Sequence, residues 1–365
     1  MSLQDHGILK EANERGSRTR KRKWIKCVAA VVTLCLIASG AVLLLQPKEL
    51  PKFQPQDVHP TAAGGGMIGS DEIAKVGISN PWKLEMGIRK MPVFKNGAYS
   101  GCPLPAGMTE EEMRLKLQEI SEDFGIPVDK ARAYVNSGGV LPQGTVTQVN
   151  AQGEKGKIKV LADGTVNIQF TDGYQIPEQF RFDDPELTEE QLREAMEHVA
   201  EQFKDELSFS DPHVMMVDSD TGDSKARNYF YVYDVGGNNK NDILNYYFRR
   251  VYFRINGNGK VSAMEIRDYL TCAEKLGDYP LITEEEAGKR LEAGQSYCYA
   301  MIRHSGEDIL SDVEKAELVY FYSPGMEILM PYYLFYVHVE DECLGEAKHY
   351  TLYYVPAVDS QYFTE

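Results

Sequence analysis

The chain has 365 residues, with 39 Lys and Arg against 55 Asp and Glu and a net charge of −16 at neutral pH. That balance argues against nucleic-acid binding by the bulk of the chain, since a polyanion is repelled by such a surface. Its six cysteines are sparse and lack C-x-x-C spacing, which excludes a disulfide-stapled scaffold and leaves open one bridge among Cys272, Cys298 and Cys343.

The N-terminal region is sharply divided. Residues 1–26 form a polar tail that becomes basic at Arg18-Thr-Arg-Lys-Arg-Lys-Trp-Ile-Lys26. Residues 27–45, Cys27 to Leu45, carry no charge, and as a helix they cover about 28 Å at 1.5 Å per residue, matching a bilayer core of about 30 Å. A cleaved leader would end in a small-residue site, and the one present, Ala38-Ser39-Gly40, would leave an apolar stub. The stretch therefore predicts a single membrane-spanning helix in contact with the lipid bilayer. Trp24, Arg20, Lys21, Arg22 and Lys23 mark its inner boundary, so the tail is expected in the cytoplasm and the rest outside the cell membrane. Residues 1–46 hold eight Lys and Arg against three Asp and Glu, a net of +5, which leaves −21 for the exterior.

Beyond the span, residues 46–70 are rich in Pro and Gly and read as a stalk. Trp82–Ile88 alternates like a strand, with Met91-Pro-Val-Phe94 behind it. Three stretches then share one helix start: Thr109-Glu-Glu-Glu-Met, Thr188-Glu-Glu-Gln-Leu and Thr283-Glu-Glu-Glu-Ala. Each places Thr at the N-cap, acids on the first turn and Glu or Gln three residues later, the pattern of a capping box. Apolar residues follow at helical spacing, with Met113, Leu117 and Ile120 in the first and Leu192, Met196 and Val199 in the second. The third is shorter, with Ala287 and Leu291.

Strand patterns follow every helix. They cover 145–149, 157–161 and 166–170 after the first, with Asp163-Gly164 as a hairpin signal. They cover 214–217, 229–235, 246–255 and 260–269 after the second, and 316–322, 332–339 and 349–355 after the third. Helix followed by antiparallel meander, about three times over, predicts an α+β exterior. The reading divides it into a first unit at 71–175 and two further units at 176–365.

No catalytic constellation emerges. G-x-S-x-G, Walker, H-E-x-x-H and S-x-x-K patterns are all absent. Asp218, Asp220 and Asp223 fall in a polar turn without EF-hand spacing, and His338 with Glu340 lacks further ligands. The expectation is therefore no cofactor, no metal and no enzymatic activity. Tyrosine runs are the distinctive feature. Tyr229, Tyr231 and Tyr233 share one strand face, and Tyr333 and Tyr353 sit in the last strands, so these five are the candidate partner-binding residues on an aromatic-rich sheet.

The C-terminal third carries a resemblance. Leu281-Ile-Thr-Glu-Glu-Glu-Ala leads to Glu317-Leu-Val-Tyr-Phe-Tyr322, then Leu329-Met-Pro-Tyr-Tyr-Leu-Phe-Tyr336 and His349-Tyr-Thr-Leu-Tyr-Tyr-Val-Pro-Ala357. This order resembles PepSY-like domains and YycH/YycI-type regulators, over roughly the last 75 residues and more loosely over 188–270. The resemblance implies an extracytoplasmic, bitopic protein of Gram-positive bacteria that modulates a sensor kinase, with no catalytic residues to carry over. The expected function is thus regulatory docking of a protein or peptide in a bacterial envelope. Alternatives are an envelope hydrolase using an acidic pair and an inhibitor of an extracytoplasmic peptidase.

Overall fold

The computed structural model describes residues 49–55, 67–69, 80–97, 107–135, 144–174, 176–180, 182, 187–216, 229–235, 237–298, 300, 303, 304, 306, 308–323, 325–340 and 348–364. The chain divides into two compact units at Glu49 and Leu50, and all elements below belong to the second. The expected span 27–45 and its flanking Arg20, Lys21, Arg22, Lys23 and Trp24 lie outside the described residues. Among the described residues no helix is long and apolar enough to cross a membrane.

The order of elements is β1 (Met67–Gly69), β2 (Lys90–Asn96), α1 (Glu110–Asp123), β3 (Arg132–Val135), β4 (Val146–Gln152), β5 (Gly156–Leu161), β6 (Val166–Tyr174), α2 (Glu189–Gln202), β7 (Pro212–Met216) and β8 (Tyr229–Asp234). Then come α3 (Asn239–Phe248), β9 (Arg249–Ile255), β10 (Val261–Asp268), β11 (Ala273–Pro280), α4 (Glu284–Glu292), β12 (Val313–Tyr320), β13 (Ile328–Leu329), β14 (Pro331–Val339) and β15 (His349–Pro356). The class is α+β with antiparallel sheets, as the sequence predicts.

The three helix starts form where the threonines stand. Thr109 and Thr188 each accept an N–H from the residue three on, and Glu112 and Gln191 return the bond to the cap N–H. Thr283 accepts from the Glu286 N–H. In α1 the apolar stripe buries Met113, Leu117 and Ile120; in α2 it buries Leu192, Met196 and Val199. Each such side chain contributes on the order of 1.5–3 kcal/mol.

The first two helix-plus-meander units are not separate bodies. Their strands make one eight-stranded sheet in the order β3-β4-β5-β6-β10-β9-β8-β7. The last strand of each unit pairs with the other, Met264 opposite Ile168 and Glu265 opposite Asn167, so the boundary expected at residue 175 is bridged by strand pairing. Both helices lie on the same side, over Val149, Ile158, Ile168, Val232 and Phe253. Phe124 and Phe203, each the C-cap of its helix, stack on one another with ring centroids 6.0 Å apart. The hairpin at Asp163-Gly164 forms as expected, with Gly164 at φ +91° and the Asp163 carboxylate accepting the Thr165 N–H.

The third unit has its own core, built on a four-stranded sheet β1-β15-β14-β12 and a three-stranded sheet β11-β2-β13. β14 is buried at every position except His338, because its sequence is apolar on both faces. Three expectations fail in this part of the chain. The segment read as stalk contributes to the fold: Phe53 is 5% exposed in the core, and β1 pairs with β15. Its prolines suggested a linker, yet Phe53 bridges to Phe363 and Tyr279 donates its hydroxyl to the Pro51 carbonyl at 2.7 Å. Leu50 fits against Gly277, where a Cβ would stand 2.3 Å from Leu50 Cδ2. Trp82–Ile88 holds a single helical turn instead of a strand, closed by Gly87 at φ +59°. Tyr246 and Tyr247 belong to α3, not to a strand; Asn238 caps that helix on the Lys240 and Asn241 N–H groups, and Ile243, Tyr246 and Phe248 bury its inner side.

Candidate binding face

Helices α1 and α2 cover one face of the eight-stranded sheet, and α3 folds over one end of the other. The register fixes what stands on the other, because directly paired residues share a face and successive residues alternate. Tyr231 is opposite Tyr252, Tyr229 opposite Arg254, Tyr252 opposite Glu265, and Arg250 opposite Arg267. Glu265 and Ala263 then pair with Asn167 and Gln169, which pair with Lys159 and Lys157. These residues are half-buried or exposed, while the alternating Phe230, Val232, Val251, Phe253, Ile158 and Ile168 are buried beneath the helices. The alternation of polar and apolar residues is that of an antiparallel sheet with one open face.

Three tyrosines from two strands form its centre. The Tyr252 ring lies 5.2 Å from Tyr229 and 4.8 Å from Tyr231 between centroids, and the Arg250 guanidinium sits 5.2 Å over Tyr231. Burial raises the Tyr252 phenol above its ordinary pKa, with Tyr231 and Tyr229 adding to it and Arg254 and Arg267 opposing. All three rings are half-buried on the sheet. Beside them a hollow of about 50 Å³ is lined by Asn167, Gln169, Tyr252, Arg254, Ala263 and Glu265, opened by the small side chain of Ala263.

Of the five expected partner-binding tyrosines, Tyr229 and Tyr231 lie on this face. Tyr233 lies at its end but is 2% exposed, because α3 folds over it and Tyr246 meets its ring edge-on at 5.4 Å. Burial, then Tyr246 and Asp242, push its phenol up to about 12. Tyr333 and Tyr353 belong to the other sheet and are core residues, a correction to their expected role. Tyr333 donates its hydroxyl to the Ile282 carbonyl at 3.0 Å and packs edge-on against Trp82; Tyr353 accepts the His304 N–H at 3.0 Å. Apolar residues cover both sides of β14, and β15 pairs along it, which removes Tyr333 and Tyr353 from the surface.

Sequence reasoning missed Tyr252, Arg250, Arg254, Lys157 and Lys159. The signal was present as basic and apolar alternation in Arg250-Val-Tyr-Phe-Arg254 and Lys157-Ile-Lys-Val160. What was missing was the register that brings those strands side by side.

Cys272 and Cys298 carry free thiols. Cys343 and the Asp218–Asp223 turn lie outside the described residues. Among carboxylates near the sheet's end, Asp242 is raised above its ordinary pKa, first by burial and then by Asp234 and Asp211, against a bond from the Gly237 N–H. Asp234 is already committed, its Oδ1 accepting the Ser210 and Asp211 N–H groups at 2.8 and 2.7 Å. No protein-family model matches the chain, and comparison with curated proteins gives no relative.

Proposed function

We propose that this chain is a single-pass envelope protein, anchored through residues 27–45, whose exterior α+β portion binds a protein or peptide partner in a regulatory role without catalysis. The observation that supports the reading is the open face of the eight-stranded sheet, where Tyr229, Tyr231 and Tyr252 form a preorganised aromatic patch flanked by Arg250 and Arg254. Tyrosine and arginine are residues enriched where proteins dock, tyrosine for its large contact area at small entropic cost and arginine for its planar set of hydrogen-bond donors. The charge-free stretch behind a basic tail motivates the anchor and its orientation. The PepSY-like pattern of residues 281–357 motivates the regulatory role. In this reading the third unit is a rigid base, its tyrosines turned inward.

The test is a photoreactive residue placed at Tyr231 or Tyr252 in the full-length protein in intact membranes, with Gln118 on the exposed side of α1 as control. Adducts to one partner protein from the sheet positions and none from Gln118 are expected. Adducts from Gln118 alone, or from neither place, sink the reading.

A further inference from the structure

The charge on this face defines the chemistry of the partner, an inference that rests on the docking reading above. Among the described residues, the register-paired outward positions carry Arg132, Lys157, Lys159, Arg250, Arg254 and Arg267, against Glu265 as the one acid. The layer behind the sheet is the reverse. α1 carries six acids and two bases, and α2 five acids and one base. In a chain of net −16, positive charge is thus gathered on one side of one sheet.

Four of those six bases are available. Glu265 is taken by Arg267, and Arg250 lies over the Tyr231 and Tyr246 rings. Arg132, Arg254, Lys157 and Lys159 have no ion-pair partner among the described residues, and Arg132 and Arg254 are exposed. The acids of α1 and α2 stand on the other side of the sheet, so a ligand at the open face meets the bases at shorter range than those acids.

We propose that the open face of the eight-stranded sheet binds an acidic polypeptide segment, whose carboxylates meet Arg254, Lys157 and Lys159 and whose apolar side chains rest on the tyrosine patch. A guanidinium matches a carboxylate through two parallel hydrogen bonds, and Arg254 lines the hollow beside Ala263 where one acidic side chain enters. A nucleic-acid strand fits less well. Base stacking needs a free ring face, whereas Tyr252 is flanked by both neighbouring tyrosines and Tyr231 is flanked by Tyr252 and Arg250.

The experiment uses the full-length protein in detergent and four fluorescent probes: alternating Glu-Val, Gln-Val and Lys-Val decapeptides and a single-stranded DNA decamer. Anisotropy at low salt should show the Glu-Val peptide bound at least tenfold more tightly than the others, with the margin narrowing at high salt. The double reversal Arg254→Glu with Lys159→Glu should weaken it at least tenfold, and Glu119→Lys on α1 should leave it unchanged. Equal binding of Gln-Val and Glu-Val, both indifferent to the double reversal, overturns the acidic preference and leaves the docking reading standing. Preference for DNA overturns the acidic-polypeptide proposal in favour of a nucleic acid. Failure of the Glu-Val peptide to bind, with photo-adducts still formed at Tyr252, overturns this proposal alone; failure of both removes the docking reading as well.

Discussion

The two large sheets spend the same amino acid in opposite ways. In the eight-stranded sheet Tyr229, Tyr231 and Tyr252 lie on the face that the helices leave open, beside arginines. In the four-stranded sheet Tyr332, Tyr333, Tyr336 and Tyr353 are buried, and the hydroxyls of the last three are used inside the fold. Tyr336 donates to Glu317 Oε2 at 2.9 Å, Glu317 is 4% exposed, and Lys315 Nζ completes the pairing at 2.6 Å from Oε1. A neighbouring core tyrosine, Tyr320, donates to the Pro92 carbonyl at 2.6 Å, tying β12 to β2 across a long stretch of sequence. The difference lies in cover. A strand with apolar residues on both faces turns its tyrosines into internal cross-links, whereas a strand apolar on one face only leaves them for a partner.

The strongest way to break that contrast is to remove a buried ring. Tyr336→Ala should cost about 3–5 kcal/mol, since it opens a cavity in a fully packed strand and leaves Glu317 without its phenolic donor. Tyr336→Phe isolates the second term and should cost about 1–3 kcal/mol. Urea unfolding of the full-length protein measures both. A loss below about 1 kcal/mol for the alanine variant would mean that the internal cross-link carries no stability and that the two sheets do not differ in this respect.

Alkaline pH acts on the same residues through linkage. Burial pushes the phenols of Tyr333 and Tyr354 up to about 12, and those of Tyr320 and Tyr336 well above their ordinary value; Glu317 adds to the shift at Tyr336. In the unfolded chain tyrosine ionises near pH 10. Below that pH both states keep the proton, so the stabilisation is complete. Above it the unfolded state releases protons that the native state holds, and stability falls as pH rises through about 10 to 12. The melting temperature should be flat up to about pH 9 and then drop steeply, with a step in tyrosinate absorbance accompanying unfolding on top of the gradual rise from exposed rings such as Tyr134. Absence of any step in tyrosinate absorbance at the unfolding transition would show that the buried rings are accessible in the folded state.

Local chemistry was the part legible in the sequence. The Thr-x-x-Glu/Gln starts at Thr109 and Thr188 became capping boxes, and Thr283 capped its helix, because a cap is decided within four residues. Most strands fell where alternation placed them. Pairing was not legible, because β6 finds β10 across a gap of nearly a hundred residues, and nothing local marks that choice. The two joined units looked separate for that reason. The candidate face suffered the same limit: tyrosines were grouped by runs along the chain, although Tyr252 joins Tyr229 and Tyr231 only through register. Phe53 shows the converse error, a core anchor concealed by the prolines around it.

The open face sharpens the comparison with the smallest expected change in stability. Tyr231 and Tyr252 are cross-strand partners whose rings touch but remain half-buried, so each contributes the few tenths to 1 kcal/mol typical of such pairs. Tyr231→Ser and Tyr252→Ser should each cost less than about 1 kcal/mol. A double-mutant cycle should show a coupling of about 0.5–1.5 kcal/mol, reflecting the ring contact alone. Binding at the face should meanwhile be lost, since the patch that receives the partner is gone. Stability and binding would thus separate here, whereas in the four-stranded sheet they cannot, because the rings there hold the fold. If either serine variant instead lost 3 kcal/mol or more, the face would have to be covered by another part of this chain, and the tyrosines of both sheets would then serve the same internal purpose.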